Sequence, residues 1–183
     1  TVMHHQIGRF DLATMENFNR NYPDFFELLK DELAVLLGPD AQANQRSIRA
    51  AMRRVLLAQA PKTELQSLRQ TLMLLAHDAD LVLDLHCDFE AVVHLYVEQA
   101  CLDRLAPLAQ RLGARALLWA NGSGGSVSFD EALSGPWWRL RDHFAGRAPV
   151  PLGCASTTVE LRGQADVSTA LAQQDAQAIY AYL

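Results

Sequence analysis

The chain has 183 residues, half of them hydrophobic and a fifth charged, with a formal net charge of -5. That length supports one domain with its own core. The scattered Lys and Arg speak against a nucleic-acid surface, no apolar run approaches the roughly 20 residues of a membrane helix, and the opening TVMHHQIGRF lacks a signal-peptide pattern.

Apolar residues recur at helical spacing over 24–37 (Phe25, Phe26, Leu28, Leu29, Leu33, Leu36, Leu37), and Gly38-Pro39 stops that helix. A second helix is expected over 46–59 with Ile48, Met52, Val55 and Leu56 on one face, ended by Pro61. A third is expected over 63–77 with Leu65, Leu68, Leu72 and Leu75 aligned. The stretch from about 40 to 78 then reads as a helical insertion in a single α/β domain. LVLDL, 81–85, is a continuous apolar run, as in a strand covered on both faces. AVVHLYV, 91–97, ALLWA, 116–120, and STTVEL, 156–161, are further strands. Between them fall a helix over 102–112 ended by Gly113, a loop in NGSGGS, and a short helix over 137–144 opened by Pro136. A closing helix over 168–182 has Ser168 as N-cap. Strands alternating with helices predict an α/β fold with a mixed, partly parallel sheet flanked by helices.

Sites in such sheets gather beyond the carboxyl ends of strands. His86, at the end of LVLDL, is therefore either a metal ligand or a strand-end histidine bonded to a backbone carbonyl. Asp84 lies two residues before it, on the same side of a strand, where a carboxylate can orient the imidazole. ENFNRNYP, 16–23, offers Arg20 as a planar fork for a carboxylate with Asn19 beside it, or else a loop whose asparagines satisfy their own turns. Glu160 is a carboxylate inside a β-branched strand: a general base tuned by burial, a partner of Arg162 on the same face, or an exposed residue of an edge strand. Cys87, Cys101 and Cys154 are odd in number and irregularly spaced, which suits reduced thiols in a cytoplasmic protein rather than a disulfide framework. A thiol hydrolase using Cys87 and His94 is a separate possibility. Trp137 and Trp138 are expected to pack under the glycine-rich loop.

The order NFNRNYP, DLVLDLHC, TTVELRG resembles the zinc-dependent M14 metallopeptidase superfamily, in its succinylglutamate desuccinylase/aspartoacylase branch. The resemblance covers about residues 9–163. It implies that Asn19 and Arg20 grip the substrate carboxylate, that His86 is the third zinc ligand, that Glu160 is the general base and that Arg9 polarises the scissile carbonyl. It implies one zinc ion, a small N-acyl amino acid or a peptide as substrate, and hydrolysis of an amide bond next to a carboxylate-bearing residue.

The chain departs from that pattern in one respect. The family's first two zinc ligands come from a His-Gly-x-Glu motif ahead of the Asn-Arg pair, and nothing here matches it. His4 and His5 have no glutamate three residues later, and His77 with Asp80 has usable spacing at the wrong place in the order. The expectation is thus a fragment that binds zinc poorly alone. The competing reading is a catalytically incomplete family member kept as a binding or interaction module. Surface left by missing strands would favour self-association.

Overall fold

A computed structural model describes residues 8–122 and 124–183. The chain opens with three helices. Helix α1 (Phe25–Leu36) starts at Asp24, whose carboxylate accepts the Glu27 N–H at 3.2 Å. Helix α2 (Ala41–Ala58) opens ahead of the expected residue 46 because Asp40 caps it, accepting the N–H groups of Gln42 and Ala43. Its first turn, AQANQ, has no apolar periodicity to announce it. Helix α3 (Glu64–Ala76) starts one residue after the expected 63, because Thr63 caps it and accepts the Gln66 N–H.

The buried stripe of α3 differs from the expected one. It consists of Leu65, Arg69, Met73 and Ala76, while Leu68 and Leu75 face outward. Leucines line this helix on more than one side, so spacing alone could not choose the face.

Four strands follow: β1 (Leu81–Asp88), β2 (His94–Glu98), β3 (Ala116–Ala120) and β4 (Ala155–Gly163). Their order in the sheet is β1-β4-β2-β3. β1 runs parallel to β4, β2 runs parallel to β3, and β2 is antiparallel to β4. This is the predicted α/β class with a mixed sheet. β1 continues past Leu85 because β4 remains alongside it, and the register slips only between His86 and Asp88. His86 therefore lies inside the strand. β2 begins at His94, after an exposed Val92.

Helix α4 (Leu102–Arg111) follows a short 3-10 turn, and Gly113 closes it at a positive φ of 65°. Helix α5 (Phe129–His143) begins well before Pro136, which sits inside it. The start is set by a capping box between Ser128 and Glu131. Helix α6 (Thr169–Tyr182) has the predicted Ser168 cap. Of the NGSGGS loop, Ser123 lies outside the described residues.

Two apolar clusters cover the sheet. Phe25, Leu29, Ile48, Met52, Met73 and Trp137 belong to one, with Val82 of β1 packed against it. Leu95, Val97, Leu105, Leu108 and Val159 belong to the other, with Leu81 and Leu83 against it. Alternation along β1 thus places the two clusters on opposite faces. Trp137 lies under Gly153, where an added Cβ would meet the indole ring at 2.5 Å.

Candidate active site

The register brings three side chains into one row. His86 of β1 pairs with Glu160 of β4, and Glu160 pairs with His94 of β2. Paired residues on neighbouring strands share a face, as do residues two apart on one strand. Asp84, Thr158 and Tyr96 therefore form the next row on that face. The face is the one covered by α5, since Ser156 Oγ donates to the Asp130 carbonyl at 2.5 Å.

The segment before α1 meets this face. Asn19 Nδ2 lies 3.4 Å from Asp84 Oδ2, and Asn19 Oδ1 accepts the Phe129 N–H at 2.8 Å. One amide thus joins the Asp84–His86 pair to the first turn of α5. Arg20 is half-buried, with Nη1 donating to the Asn19 carbonyl at 2.6 Å. Asn21 takes a left-handed φ of 63°, a conformation asparagine tolerates, and bends the chain away toward α1. Arg9 is exposed in the preceding loop, and its carbonyl accepts the Phe18 N–H at 3.0 Å. The backbone of Arg9 is thereby tied next to Asn19.

His86 Nε2 lies 2.8 Å from Asp84 Oδ2. That bond pushes the imidazole pKa up, against burial, and the charges of Glu160 and Asp130 add to it. Nδ1 makes no hydrogen bond among the described residues. Burial pushes the Glu160 carboxyl up as well, with His86 and His94 partly offsetting it. Its Oε2 is buried and has no hydrogen-bond partner among the described residues. Arg162, the bland candidate for pairing with Glu160, instead grips Asp175 of α6 through both nitrogens at 2.6 and 2.7 Å.

The described residues do not complete a zinc site. No group of three or more His, Cys, Asp or Glu among them is arranged to hold a metal ion, whereas catalytic zinc takes three protein ligands. What they offer is one imidazole with an orienting carboxylate. His4 and His5 lie outside the described residues. His77 is buried, and its Nδ1 sits 3.0 Å from the Leu74 carbonyl. Asp80 is paired with Arg49 at 2.8 Å. Cys87 is exposed, and His94 is buried with Nδ1 on the Val92 carbonyl, so no contact supports a Cys87–His94 dyad.

Sequence reasoning missed three charged residues here. Arg69 is 8% exposed and reaches from α3 to Glu16 Oε2 and the Asn17 carbonyl, holding the ENFNRN segment in place. Asp130 is buried in the first turn of α5, bonded to Ser128 Oγ at 2.6 Å, and burial raises its pKa. Glu98 is buried at the end of β2. Trp138 also lines a cavity beside Glu98 rather than packing passively.

Fold and site together define an α/β protein with a mixed sheet and a histidine–carboxylate row facing an Asn-Arg loop. Its similarity to solved structures points the same way. A protein of Shewanella amazonensis SB2B assigned to the succinylglutamate desuccinylase/aspartoacylase family is 31% identical, with a TM-score of 0.79, over 96% of this chain and 48% of that one. A protein of Shewanella frigidimarina NCIMB 400, assigned as a succinylglutamate desuccinylase/aspartoacylase, is 28% identical, with a TM-score of 0.78, over 96% of this chain and 47% of that one. These likenesses support that family for the chain, which spans about half the length of either structure. No family model and no curated protein sequence matches it. No helix among the described residues is long and apolar enough to cross a membrane.

Proposed function

We propose that the chain forms the base-bearing and carboxylate-gripping part of a hydrolase that cleaves an amide bond next to a carboxylate-bearing residue. N-acyl amino acids and peptide C-termini both present that chemistry. The observation that carries the reading is the convergence of His86, Glu160 and the Asn19-Arg20 loop on one sheet face. Arg20 holds the substrate carboxylate through its planar fork, and Asn19 fixes the loop against Asp84 and α5. Glu160, with its raised proton affinity and unpartnered Oε2, takes the proton of the attacking water and hands it to the leaving amine. Arg9, whose backbone is tied next to Asn19, stabilises the developing oxyanion.

Zinc belongs to this proposal with His86 as one ligand and Asp84 as its orienting carboxylate. The remaining ligands would come from outside the described residues, so no step is assigned to the ion. A second reading, a carboxylate-binding module without turnover, is favoured by the single-imidazole donor set. Exposed Leu85 and Phe89 on β1 and its connector, and Leu118 and Trp119 on β3, favour self-association along the sheet edges.

The test takes the protein as its gene encodes it. Zinc content is measured by elemental analysis, and turnover is screened on N-acyl amino acids for the native protein and Glu160→Gln. The expected result is stoichiometric zinc in both and turnover only in the native protein. Turnover retained by Glu160→Gln removes the hydrolase mechanism, and binding without turnover in the native protein selects the second reading.

A further inference from the structure

The face that carries the site continues down β2. His94, Tyr96 and Glu98 alternate on it, while Leu95 and Val97 enter the opposite core. Glu98 lies four residues from His94, about 13 Å along the strand. Tyr96 and Thr158 pair between them. Beside Glu98 is a cavity of about 240 Å³, lined also by Pro23, Asn121, Ala132, Pro136 and Trp138. This cavity adjoins the carboxylate loop: Asn19 accepts the N–H of Phe129, and Ala132 lies one turn further along α5.

The cavity's acidic acceptor is only partly served: Trp138 Nε1, which lines the same cavity, is buried and makes no hydrogen bond among the described residues. Glu98 is 7% exposed, and its Oε2 has no hydrogen-bond partner among the described residues. Pro136 has no N–H, so the Ala132 carbonyl lacks its helical donor. Gly135 leaves room for the carboxyl: a Cβ there would stand 3.2 Å from Glu98 Oε1. A glycine and a proline inside a helix are each unfavourable, and here both open the helix toward Glu98. The other charged groups of the lining are engaged. Asp24 is paired with Arg139 at 2.8 Å, and Glu131 closes the capping box with Ser128.

We infer that this cavity receives a cationic, hydrogen-bond-donating side chain on the amino-acid part of the substrate, with Glu98 as its acidic floor. The inference rests on the hydrolase reading, and it narrows the substrate to an N-acylated amino acid or C-terminal residue with an ammonium or guanidinium side chain. The route from Glu160 runs past Tyr96 and Thr158, and the long side chains of lysine and arginine reach furthest along it. A cation supplies the donor that Glu98 Oε2 lacks. A neutral side chain of equal length leaves it unsatisfied.

Electrostatics supports the same assignment. Burial pushes the Glu98 carboxyl up to about 7, Glu131 and Asp130 push it further, and Ser134 and Trp138 ease its anion. Cys101 faces it from the 3-10 turn as a neutral thiol, its pKa raised to about 11. The Asp24–Arg139 pair is the remaining charge on the cavity wall. A bound cation stabilises the anionic form of Glu98, so affinity rises with pH through this range.

The experiment measures, by isothermal titration calorimetry, the binding of Nα-acetyl-L-lysine, Nα-acetyl-L-arginine and the neutral isostere Nα-acetyl-L-norleucine. The native protein is compared with Glu98→Gln and Arg20→Ala. At pH 8 the cationic ligands are expected to bind the native protein about tenfold or more tightly than norleucine, the value of a charge-assisted bond. That advantage should vanish in Glu98→Gln. It should shrink about tenfold at pH 6, where Glu98 is largely protonated. Equal affinity for all three ligands in the native protein overturns the inference without use of any variant. So does a cation preference that survives Glu98→Gln. If Arg20→Ala weakens all three ligands while no cation is preferred, the hydrolase reading stands and the cavity assignment alone falls. If Arg20→Ala changes none of them, the carboxylate grip fails and the cavity assignment falls with it.

Discussion

Replacing Glu98 by glutamine tests the burial of that carboxyl separately from any ligand. The side chain is 7% exposed and its pKa stands at about 7 against an ordinary 4.5. A carboxyl whose proton binds more tightly in the folded state destabilises the fold as pH rises, because the unfolded chain ionises first. The penalty is absent below the ordinary value, grows between the two values and is complete above the folded one. At about 1.4 kcal/mol for each tenfold change in proton affinity, it reaches about 3 kcal/mol, of which about 2 to 3 kcal/mol develops between pH 5 and pH 8. Glutamine keeps the shape and removes the titration. Urea unfolding of both proteins at the two pH values gives the double difference, in which the fixed effect of the amide cancels. The variant should gain about 2 to 3 kcal/mol on the native protein from pH 5 to pH 8, equivalent to roughly 5–10 °C in melting temperature for a chain of this size. An identical stability difference at both pH values would refute the argument. It would mean that Glu98 reaches water or a cation in the free protein.

Asp84→Asn should lower the His86 pKa toward its ordinary 6.5, read by NMR titration of the imidazole, because the Asp84 bond is the main cause of its rise. In the native protein that bond stabilises the fold fully below pH 6.5 and is lost as pH rises through the elevated folded value, so the variant's loss of stability should be larger at pH 5 than at pH 9. Gly153→Ala drives a methyl into the Trp137 ring, at 2.5 Å from its atoms, and should lower stability by about 1–3 kcal/mol in urea melts. Arg69→Ala removes the anchor of the ENFNRN segment from a buried site. It should weaken carboxylate-ligand binding although Arg69 lines no part of the proposed clamp, and an unchanged Kd in calorimetry would show that the loop holds itself.

The fold was legible where one physical signal dominated. Ser168 is the expected cap, and the helices expected from Asp24 and Thr63 start one residue later because those two residues are caps. ALLWA is a strand over its expected range. Asp84 and His86 were legible as a same-face pair, because alternation in a strand is independent of tertiary context. Failures occur where two rules compete. Proline's usual place at a helix start predicts a helix opening at Pro136, but the Ser128–Glu131 capping box wins and the proline is carried inside. Leucine spacing predicts a different buried face for α3, while Arg69 is buried by partners more than fifty residues earlier in the chain.

Glu98 shows why part of the site could not be read from one strand. HLYVE alternates polar and apolar residues, which is equally the pattern of a strand with one face in water. Only the helix laid across that face decides between solvent and a buried polar lane. The deciding residues are Gly135 and Pro136, far along the chain, which weaken α5 at the point where it crosses Glu98. Taken singly, each looks like a helix boundary. Taken with an acidic residue on the polar face of the strand beneath, they mark a place where the fold leaves hydrogen-bonding capacity unfilled. A cation-binding role accounts for that arrangement, because a purely structural contact would be better served by alanine at 135 and an apolar residue at 98.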